Sequence, residues 1–417
     1  MKGLYIFLIF VIASHCLCAR ITPNAYSSFD VLTYGAIGDG KTDDSNAFLK
    51  AWDNVCGTTE GTPTLTIPEG KTYLLQPLLF NGPCKPANIT IELKGNITAP
   101  RVVEDWKFRE DNTTWIKFSS INGLIIVGGG KVDGQGSPWW IKYPKKSNEN
   151  NKPTVSSLTY TYNIYMQAIR FYNCHNLTLS NLSHVDSPRN HISINHCKDA
   201  SISNLTIIAP ADSPNTDGID IGLSTNVLIN NSTIMTGDDC IAINNGSSFI
   251  NITDVFCGPG HGISVGSLGK DKTYATVEHV HVKNCTFNGT TNGARIKTFK
   301  GGSGYTRNIT YEDIIVVGVK HPMIIDQYYD PRGNIGQAVE VSYVTYLNIH
   351  GTSLDKTAIE LKCDTIIGCT NIVVDNVNIT RVDGGEAQTI CTKAQGKCSS
   401  CYPDVPCLSH NNSAIWY

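Results

Sequence analysis

The sequence predicts an all-β fold, a single-domain right-handed parallel β-helix (a solenoid of stacked coils) with a short capping helix near its N-terminus. From about residue 170 onward the chain repeats itself with a period of roughly 22 to 30 residues, as solenoids do. Within each repeat, apolar and polar residues alternate over short runs, which is typical of half-buried strands. The repeats show no helical periodicity, so a parallel β-helix is favoured over a leucine-rich or helical solenoid.

The repeat is clearest in the C-terminal two thirds of the chain. Each copy divides its Ile, Val and Leu runs with Asn, Gly, Ser and Asp, so that neighbouring coils must stack to bury a shared core. The copies begin at Asn176, Asp199, Asn226, Phe249, Val277 and Asn308, with weaker ones at Tyr343 and Asn371. We expect the turn residues Asn204, Asn231, Asn251 and Asn284 to stack as side-chain ladders.

The N-terminal third is less regular and contains one amphipathic stretch, from Asp43 to Cys56. Ala47, Phe48 and Trp52 recur there at helical spacing. A helix at this point would cover the end of the solenoid, which otherwise leaves strand edges exposed. No linker separates domains, so residues 20–417 are predicted to form one domain.

The first residues have the features of an export signal. Lys2 precedes an apolar stretch from Leu4 to Ala13, which is too short for a membrane anchor, and the small residues Cys18 and Ala19 suggest cleavage before Arg20. We therefore predict a signal peptide at residues 1–19 and a secreted, extracellular or cell-wall protein. No other segment resembles a membrane span.

The charge balance limits the partners. There are 33 basic and 36 acidic residues, for a net charge of -3, whereas a non-specific nucleic-acid binder would be strongly basic. A polyanionic substrate is not excluded, because a few cations in a cleft can hold one. We expect no nucleic-acid or membrane partner and a monomeric protein.

Cysteine and sequon usage agree with export. Of the 15 cysteines, 13 remain if Cys16 and Cys18 leave with the signal peptide, so at least one thiol has no partner within the chain. We expect some, but not all, of the N-x-S/T sequons to carry glycan, because Asn is also favoured in turns. Such sequons include those that begin at Asn88, Asn96, Asn112, Asn176, Asn204, Asn251, Asn284, Asn308 and Asn378.

Acidic and basic residues recur at equivalent places in the repeat. Asp217, Asp239 and His261 are each 22 residues apart, one per coil. Because stacked strands lie roughly 4.8 Å apart, these side chains should converge on an area the size of a sugar ring. One coil further on, Arg295 and Lys297 share a strand face, with the intervening Ile296 turned into the core.

Two carboxyl groups beside cations are what hydrolysis of a uronic acid glycoside requires. Crowding of Asp217, Asp238 and Asp239 should raise at least one pKa, and a protonated His261 should oppose that rise, which favours activity in mildly acidic conditions. Asp238 and Asp239 can share a cleft only at a turn–strand junction, which Gly237 permits. Alternatively, one of them is only a turn residue. We predict no metal at this cluster, since Arg295 and Lys297 would lie close to it.

Four segments resemble the signature segments of the polygalacturonases, glycoside hydrolase family 28. They are NTDG from Asn215, GDDC from Gly237, GHG from Gly260 and RIK from Arg295, in order and suitably spaced. The resemblance covers nearly the whole mature chain and is greatest to plant exopolygalacturonases of the pollen type. It implies hydrolysis of α-1,4 galacturonosyl linkages in pectin with inversion and without a cofactor. Exo action is favoured, and endo action remains open.

The resemblance also implies a role for each site residue. Asp238 would be the general acid, Asp217 and Asp239 would activate water, and His261 would tune their ionisation. The cations at positions 295 and 297 would bind the galacturonate carboxylate. A family tyrosine maps to Tyr329, although Tyr328 is adjacent. The roles implied for these residues are catalytic for Asp217, Asp238, Asp239 and His261, and substrate-binding for Arg295, Lys297 and Tyr329.

Cysteine positions fit the same family in part. Cys240–Cys257 resembles a family disulfide, and Cys363–Cys369 and Cys56–Cys84 are further expected pairs. Two questions stay open, namely whether Cys174 and Cys197 are bonded or are stacked thiols, and how the C-terminal cysteines pair. The latter are Cys391, Cys398, Cys401 and Cys407.

Two rival functions and three further residues complete the predictions. A pectate lyase on the same scaffold would need an Arg base and usually calcium, and a non-catalytic wall-binding protein would have no reason to keep both an acid and a base. His191 either lines a neighbouring subsite or is structural, with the structural role favoured. Trp139 and Trp140 either stack on sugar or pack.

Overall fold

The computed structural model describes residues 28–59, 61–107, 113–140, 166–329 and 336–410. The predicted signal peptide and the sequon at Asn112 lie outside these residues. Within them the chain forms one α-helix, α1 (Ser45–Gly57), and four short 3-10 helices at Val31–Tyr34, Val103–Asp105, Ser137–Trp139 and Lys270–Lys272.

Strands make up most of the remaining described chain. In order they are β1 Ser28–Asp30, β2 Asp39–Asp43, β3 Thr64–Ile67, β4 Thr72–Leu74, β5 Leu78–Asn81, β6 Ile89–Leu93, β7 Asn96–Thr98, β8 Thr114–Ser119, β9 Leu124–Val127, β10 Lys131–Asp133, β11 Gln167–Tyr172, β12 His175–Val185, β13 Ile192–Asn195, β14 Lys198–Ile208, β15 Ile219–Gly222, β16 Thr225–Met235, β17 Ile241–Ile243, β18 Ser247–Cys257, β19 Ile263–Leu268, β20 Tyr274–Lys283, β21 Thr286–Asn288, β22 Asn292–Thr298, β23 Ser303–Val319, β24 His321–Asp326, β25 Glu340–Ser353, β26 Thr357–Lys362, β27 Cys369–Arg381, β28 Gln388–Thr392, β29 Ala394–Tyr402 and β30 Ser409–His410.

The strands pair in parallel and stack as the coils of a solenoid. A 19-stranded sheet (sheet A) contains the long bent strands, and an 11-stranded sheet (sheet B) runs in the order β28-β26-β24-β22-β19-β17-β15-β13-β11-β8-β5. Each coil gives one strand to sheet B and then crosses to sheet A, so that β15 pairs with β17 and β17 with β19. The predicted stacking of repeats into a parallel β-helix is confirmed.

Aliphatic residues in register build the core. Ile219, Ile241 and Ile263 are paired partners in three successive coils of sheet B, and all are fully buried. Each such side chain contributes roughly 1.5–3 kcal/mol of hydrophobic stabilisation relative to an exposed one. Because successive side chains alternate between faces, the residue that follows each of these points outward. The site draws on such outward strand positions and on the turns that precede the strands.

Sheet A bends at turn residues with left-handed backbone conformation. Asn231 donates to Asn204 at 2.5 Å, and their backbone φ angles are 44° and 54°. Asn is one of the few non-glycine residues that tolerate this conformation. The predicted ladder holds at these two positions and at Asn284. At Asn251 the prediction is wrong, because that residue pairs with Leu228 inside β18, and Asp254 occupies the ladder position and accepts from Asn284.

The predicted capping helix is present as α1. Phe48 and Trp52 are buried and pack edge-on against aromatic rings of the first coils, with Trp52 5.3 Å from Phe80 between ring centroids. The strands that α1 contacts include β1 and β5, which are end strands of their sheets. The apolar face of the helix therefore closes the end of the core.

Disulfides form at the three predicted pairs, Cys56–Cys84, Cys240–Cys257 and Cys363–Cys369. The C-terminal cysteines pair as Cys391–Cys407 and Cys398–Cys401. The described thiols without a disulfide are buried and comprise Cys174, Cys197 and Cys285. Cys174 and Cys197 are thus stacked thiols, and the prediction of an unpaired cysteine is confirmed.

None of the helices in the described ranges has the length and apolar character needed to cross a membrane.

Candidate active site

The predicted acidic residues meet where sheet B begins. Asp217 and Asp239 precede β15 and β17 by two residues, and the Gly218 amide donates to the Asp239 carbonyl at 2.9 Å. His261 lies at the same place before β19, and its amide donates to the Asp238 carbonyl at 2.8 Å. The repeat spacing therefore brings these residues together, as the sequence predicted.

Asp238 lies in a bend of the chain that depends on a glycine. A side chain at Gly237 would place its Cβ 2.0 Å from the Ser213 carbonyl oxygen, so that the coil can pass this point only without one. Oδ1 of Asp238 accepts from the Asp239 amide at 2.9 Å and lies 2.8 Å from Nδ1 of His261. Asp238 is therefore a turn residue, as the alternative interpretation of the sequence has it, and its carboxylate is also paired with His261.

Asp239 is buried between two cationic side chains. Its exposed fraction is 1%, one carboxylate oxygen is bound by Arg295, and the other lies 2.7 Å from the Lys297 ammonium. Ser264 donates to the same oxygen as Arg295 at 2.9 Å and accepts from Nε of Arg295 at 2.8 Å. Charge-assisted hydrogen bonds of this kind are among the strongest in proteins and fix the orientation of the carboxylate.

Ser264 was missed in the sequence analysis. It lies on the outward face of β19, next to Arg295 of β22 in register. The signal was available, since Ser264 follows the core residue Ile263 and therefore has outward parity. Its partners could not be known before the register of the two strands was known.

His261 changes the acidity of its neighbour. Burial alone would raise the pKa of Asp238, but the hydrogen bond from His261, its charge and that of Lys297 hold this pKa below its ordinary value. The predicted effect of His261 on a neighbouring carboxyl group is therefore present at Asp238.

Two other carboxyl groups have raised pKa values. Burial, and then the charges of neighbouring carboxylates, raise the pKa of Asp217 well above its ordinary value, as crowding predicted. Burial, and then the charge of Asp239, raise the pKa of Asp220 to about 7. Asp220 was also missed, although it lies between the core residues Ile219 and Ile221 and so has outward parity.

The cations line one end of an open cleft of about 420 Å³ on the outer face of sheet B. Tyr329 is 42% exposed there, with the Lys297 ammonium 5.3 Å from its ring centroid. Tyr328 instead packs against Lys300, and its hydroxyl accepts from the Thr365 amide at 3.1 Å. Tyr329 is therefore the tyrosine that faces the cleft.

Beyond Tyr329, the cleft continues over later coils. In register with Lys297 lie Asp326 of β24 and Lys362 of β26. Lys362 is half exposed and binds Glu360, and burial raises the pKa of Asp326. The cleft is therefore lined by charges of both signs along its length. Its two buried cations, Arg295 and Lys297, lie at the end nearest Asp239, which is here called the acidic end.

The acidic end also has the spacing of a cation site. Ligand atoms of Asp238, Asp239 and His261 all lie within 4.8 Å of one another. However, both Asp239 oxygens are bound by cationic nitrogens, and Nδ1 of His261 is bound to Asp238. A metal ion would have to displace Arg295 or Lys297, and their positive charge opposes its approach.

Three residues with open roles prove to be packed. His191 is 1% exposed, and burial lowers its pKa well below the ordinary value. Trp139 packs edge-on against Trp106 with 5.3 Å between ring centroids, and Trp140 donates to the Ser187 carbonyl at 3.0 Å. These contacts favour the structural reading of all three.

The chain is similar to plant polygalacturonases. It is 44% identical to a probable polygalacturonase of Arabidopsis thaliana over 391 residues, which are 92% of this chain and 81% of that one. It is also 38% identical to polygalacturonase-2 of Solanum lycopersicum over 380 residues (89% and 79%), and 38% identical to an exopolygalacturonase of Zea mays over 389 residues (91% and 90%).

Solved structures share the fold. An exopolygalacturonase from Thermotoga maritima matches with a TM-score of 0.69 at 20% identity, covering 84% of this chain and 88% of that one. A polygalacturonase from Erwinia carotovora matches with a TM-score of 0.64 at 22% identity, covering 88% and 98%. The predicted right-handed parallel β-helix is confirmed. The model of glycosyl hydrolases family 28 matches residues 56–401, and the chain belongs to that family.

Proposed function

We propose that the protein hydrolyses α-1,4 galacturonosyl linkages of polygalacturonate, the acidic backbone of pectin, by a single displacement with inversion. One observation carries the proposal. A buried carboxylate, Asp239, is bound by two cations that line an open cleft, and it lies beside the Asp238–His261 pair. Polygalacturonase relatives support the same substrate class.

Asp238 acts as the general acid in this proposal. Its Oδ1 accepts from His261 and from the Asp239 amide, which leaves Oδ2 to carry a proton toward the leaving glycosidic oxygen. As that bond breaks, the proton passes to the departing sugar and Asp238 becomes a carboxylate. His261 then stabilises the new negative charge.

Asp239 and Asp217 hold the attacking water. Asp239 accepts the water proton as the hydroxyl oxygen bonds to the anomeric carbon. Asp217, whose pKa is raised, keeps its proton and orients the water through its carbonyl oxygen. Proton exchange with solvent then returns a proton to Asp238 and removes one from Asp239, so that the next cycle can begin.

Substrate binding prepares this step. Arg295 and Lys297 are the cations that bind the galacturonate carboxylate, and Tyr329 bounds the same subsite. The two cations then share their hydrogen bonds between Asp239 and the substrate carboxylate. One Asp239 oxygen thereby loses a hydrogen bond and can accept a proton. Only a substrate that brings a carboxylate can do this, so the arrangement selects uronates over neutral sugars.

A general acid must carry a proton, but in the free protein the pKa of Asp238 is lowered, which favours its carboxylate form. The bound uronate corrects this. It adds negative charge beside Asp238 and engages Lys297, one of the cations that lower the pKa of that group. We expect the pKa of Asp238 to rise on substrate binding.

Reducing-end release from polygalacturonate, with and without calcium chelation, tests the reaction class. We expect release without calcium and without a new ultraviolet absorbance, and loss of release by at least about a thousandfold in Asp238→Asn. An unsaturated product would establish a lyase. Equal release by the parent and the variant would favour a wall-binding protein and contradict the proposal.

An activated aryl galacturonide separates the acid from the base. Its leaving group needs no proton, so Asp238→Asn should retain hydrolysis of this substrate while Asp239→Asn should lose it. If Asp217→Asn retains aryl galacturonide hydrolysis and Asp238→Asn does not, the roles of the two residues are exchanged.

Three finer properties belong to the proposal. The favoured mode is exo action, which agrees with the likeness to the Zea mays relative. Product sizing tests it, since monomer from the first minutes indicates exo action and a ladder of oligomers indicates endo action. Secretion as a glycosylated monomer is proposed from the sequence, and the mass and N-terminus of protein recovered from the culture medium test it.

A further inference from the structure

A second groove lies on sheet A, away from the cleft on sheet B. This groove, here called the lateral groove, has a volume of about 990 Å³, and six successive strands line it (β20, β23, β25, β27, β29 and β30). At roughly 4.8 Å per strand it runs about 24 Å along the solenoid axis. A linear polymer several sugar units long could therefore lie along it.

Tyr343 and His279 line the lateral groove, and Phe249 lies beside it against His279. Tyr343 is 57% exposed and lines the lateral groove. His279, Asn308 and Tyr343 occupy equivalent positions in three successive coils. His279 is stacked on Phe249 of the coil before it, with 4.7 Å between ring centroids and 6° between the planes. Phe249 itself is 58% exposed. Flat exposed rings along a groove are suited to stacking on sugar faces.

These rings occupy backbone positions that disfavour them. Phe249, His279 and Tyr343 have φ angles of 55°, in the left-handed region. In register with them, the same turn is occupied by Asn226, Asn308 and Asn371. Asn tolerates this conformation, whereas a bulky side chain is strained there. Folding alone therefore favours Asn over Phe249 and Tyr343, and these two rings require another explanation, whereas His279 is a residue type that tolerates this backbone.

The charge of the lateral groove suits an acidic chain. Its one lining carboxylate among the described residues, Glu312, is already bound by His281 at 2.7 Å and by Lys283 at 2.8 Å. Lys397 and the exposed His279 add positive or protonatable groups. Since His279 lies 4.0 Å from Glu278, Lys397 is the lining cation that has no carboxylate partner among the described residues and is open to a uronate carboxylate.

We propose that the lateral groove is a second saccharide-binding site, which holds an extended galacturonan chain separately from the catalytic cleft. The choice of galacturonan rests on the proposed function. Rings stack on the sugar faces, and Lys397 and His279 bind the carboxylates. Such a site keeps the enzyme on its polymer between cleavage events without taking part in the chemistry.

The test measures retention on immobilised polygalacturonate in an Asp238→Asn background, which prevents hydrolysis. The variants are Phe249→Asn with His279→Asn, and Tyr343→Gly. Glycine is used at Tyr343 because Asn would create a sequon with Thr345. All three replacements tolerate left-handed backbone, so the variants should fold at least as well as the parent. Tyr274→Ala is the matched control, since Tyr274 is 64% exposed on β20 and lies outside the lateral groove.

We expect each groove variant to bind the polymer about tenfold more weakly, as loss of an aromatic anchor does, and Tyr274→Ala to bind normally. With Asp238 intact, kcat/KM on trigalacturonide should stay within about twofold of the parent, because a trimer is short enough to be held by the cleft alone. Loss of trimer hydrolysis in the parent would instead be a failure of the proposed function.

Three results would overturn the inference. The first is unchanged polymer retention in both groove variants. The second is equal retention of the parent on fully methyl-esterified pectin, since that polymer lacks the carboxylates. The third is an N-glycan at Asn308, found by peptide mapping, because Asn308 lines the lateral groove and its own glycan would then occupy it.

Discussion

The cleft on sheet B and the lateral groove on sheet A are built from the same coils, but they depart from the repeat in different ways. On the cleft side, the turn before β17 and the outward face of β22 carry the buried charges Asp239 and Lys297, with exposed fractions of 1% and 6%. On the groove side, the departures are exposed rings at turns with φ near 55°. The first departure is electrostatic, and the second is conformational.

The contrast shows how a repetitive fold acquires sites. Stacked coils supply fixed rows of outward positions, and the core beneath them is almost unaffected by what occupies those rows. A row can therefore hold residues that folding alone disfavours, and neighbouring rungs compensate for some of them. Asp239 has such compensation in Arg295, Lys297 and Ser264, whereas Tyr343 has no equivalent among the described ladder residues.

The largest expected effect breaks that compensation on the cleft side. Asp239→Asn leaves two buried cations unpaired, so it should lower the free energy of unfolding by about 3–5 kcal/mol and also abolish activity. Asp238→Asn should abolish activity and change stability by less than about 1 kcal/mol, because Asp238 is partly exposed. Urea denaturation and reducing-end assays measure both. An Asp239→Asn protein as stable as the parent would contradict the account of the ion pairs.

A second prediction concerns the buried acid of the same cleft. The pKa of Asp220 is about 7 in the folded protein, above its unfolded value, so folding is favoured most at pH below about 4 and loses this contribution as pH rises toward 7. Asp220→Asn should therefore gain up to roughly 4 kcal/mol of stability at pH 7.5 and almost none at pH 4. Thermal unfolding against pH measures this. Asp53→Asn on α1 is the exposed control, and a pH-independent gain in Asp220→Asn would refute the assignment.

A third prediction sharpens the comparison at a buried imidazole with no catalytic role. Burial lowers the pKa of His184 to about 4, and within the described residues neither ring nitrogen has a partner. As pH falls from about 6.5 toward 4, His184 binds a proton in the unfolded chain but not in the folded chain. The free energy of unfolding therefore falls by up to about 1.4 kcal/mol per pH unit.

His184→Leu should flatten this part of the stability profile, because it removes the titrating group from an apolar site. The exposed His350 provides the control, and His350→Leu should leave the slope unchanged. Equal slopes for the parent and His184→Leu between pH 6.5 and 4.5 would show that His184 is not held neutral by burial.

The smallest expected effect tests the groove side. Phe249→Asn should raise the free energy of unfolding by about 0.5–1 kcal/mol, since it relieves a strained turn and loses only one exposed ring stack. The reverse change, Asn231→Phe, should lower it by a similar or larger amount. Urea denaturation of both proteins measures the pair. A Phe249→Asn protein less stable than the parent would contradict the claim that the left-handed backbone strains Phe249.

The sequence predicted the fold and the clustering of the site, because the period of the repeat determines both. Residues 22 apart in a solenoid must lie on neighbouring rungs, and alternation then fixes which side chains point outward. It did not predict that Arg295 and Lys297 bind Asp239, nor the parts played by Ser264 and Asp220. Parity gives the face of a side chain, but hydrogen-bond partners depend on register between strands from different coils.

The error at Asn251 has the same physical origin. Turn residues in this fold are defined by left-handed backbone, which both Asn and Asp tolerate, so the Asn pattern alone predicts the wrong position within β18, where Asp254 fills the turn. The aromatic residues of the lateral groove escaped notice for a related reason. Phe249 and Tyr343 look like ordinary strand residues until the backbone conformation is known.

The most direct test of the central claim is the anomeric form of the first product. Proton NMR of trigalacturonide hydrolysis in the first minutes should show the β-anomer from the parent protein and no product from Asp238→Asn or Asp239→Asn. Initial formation of the α-anomer, or product from either variant at the parent rate, would contradict hydrolysis by these carboxyl groups through a single displacement.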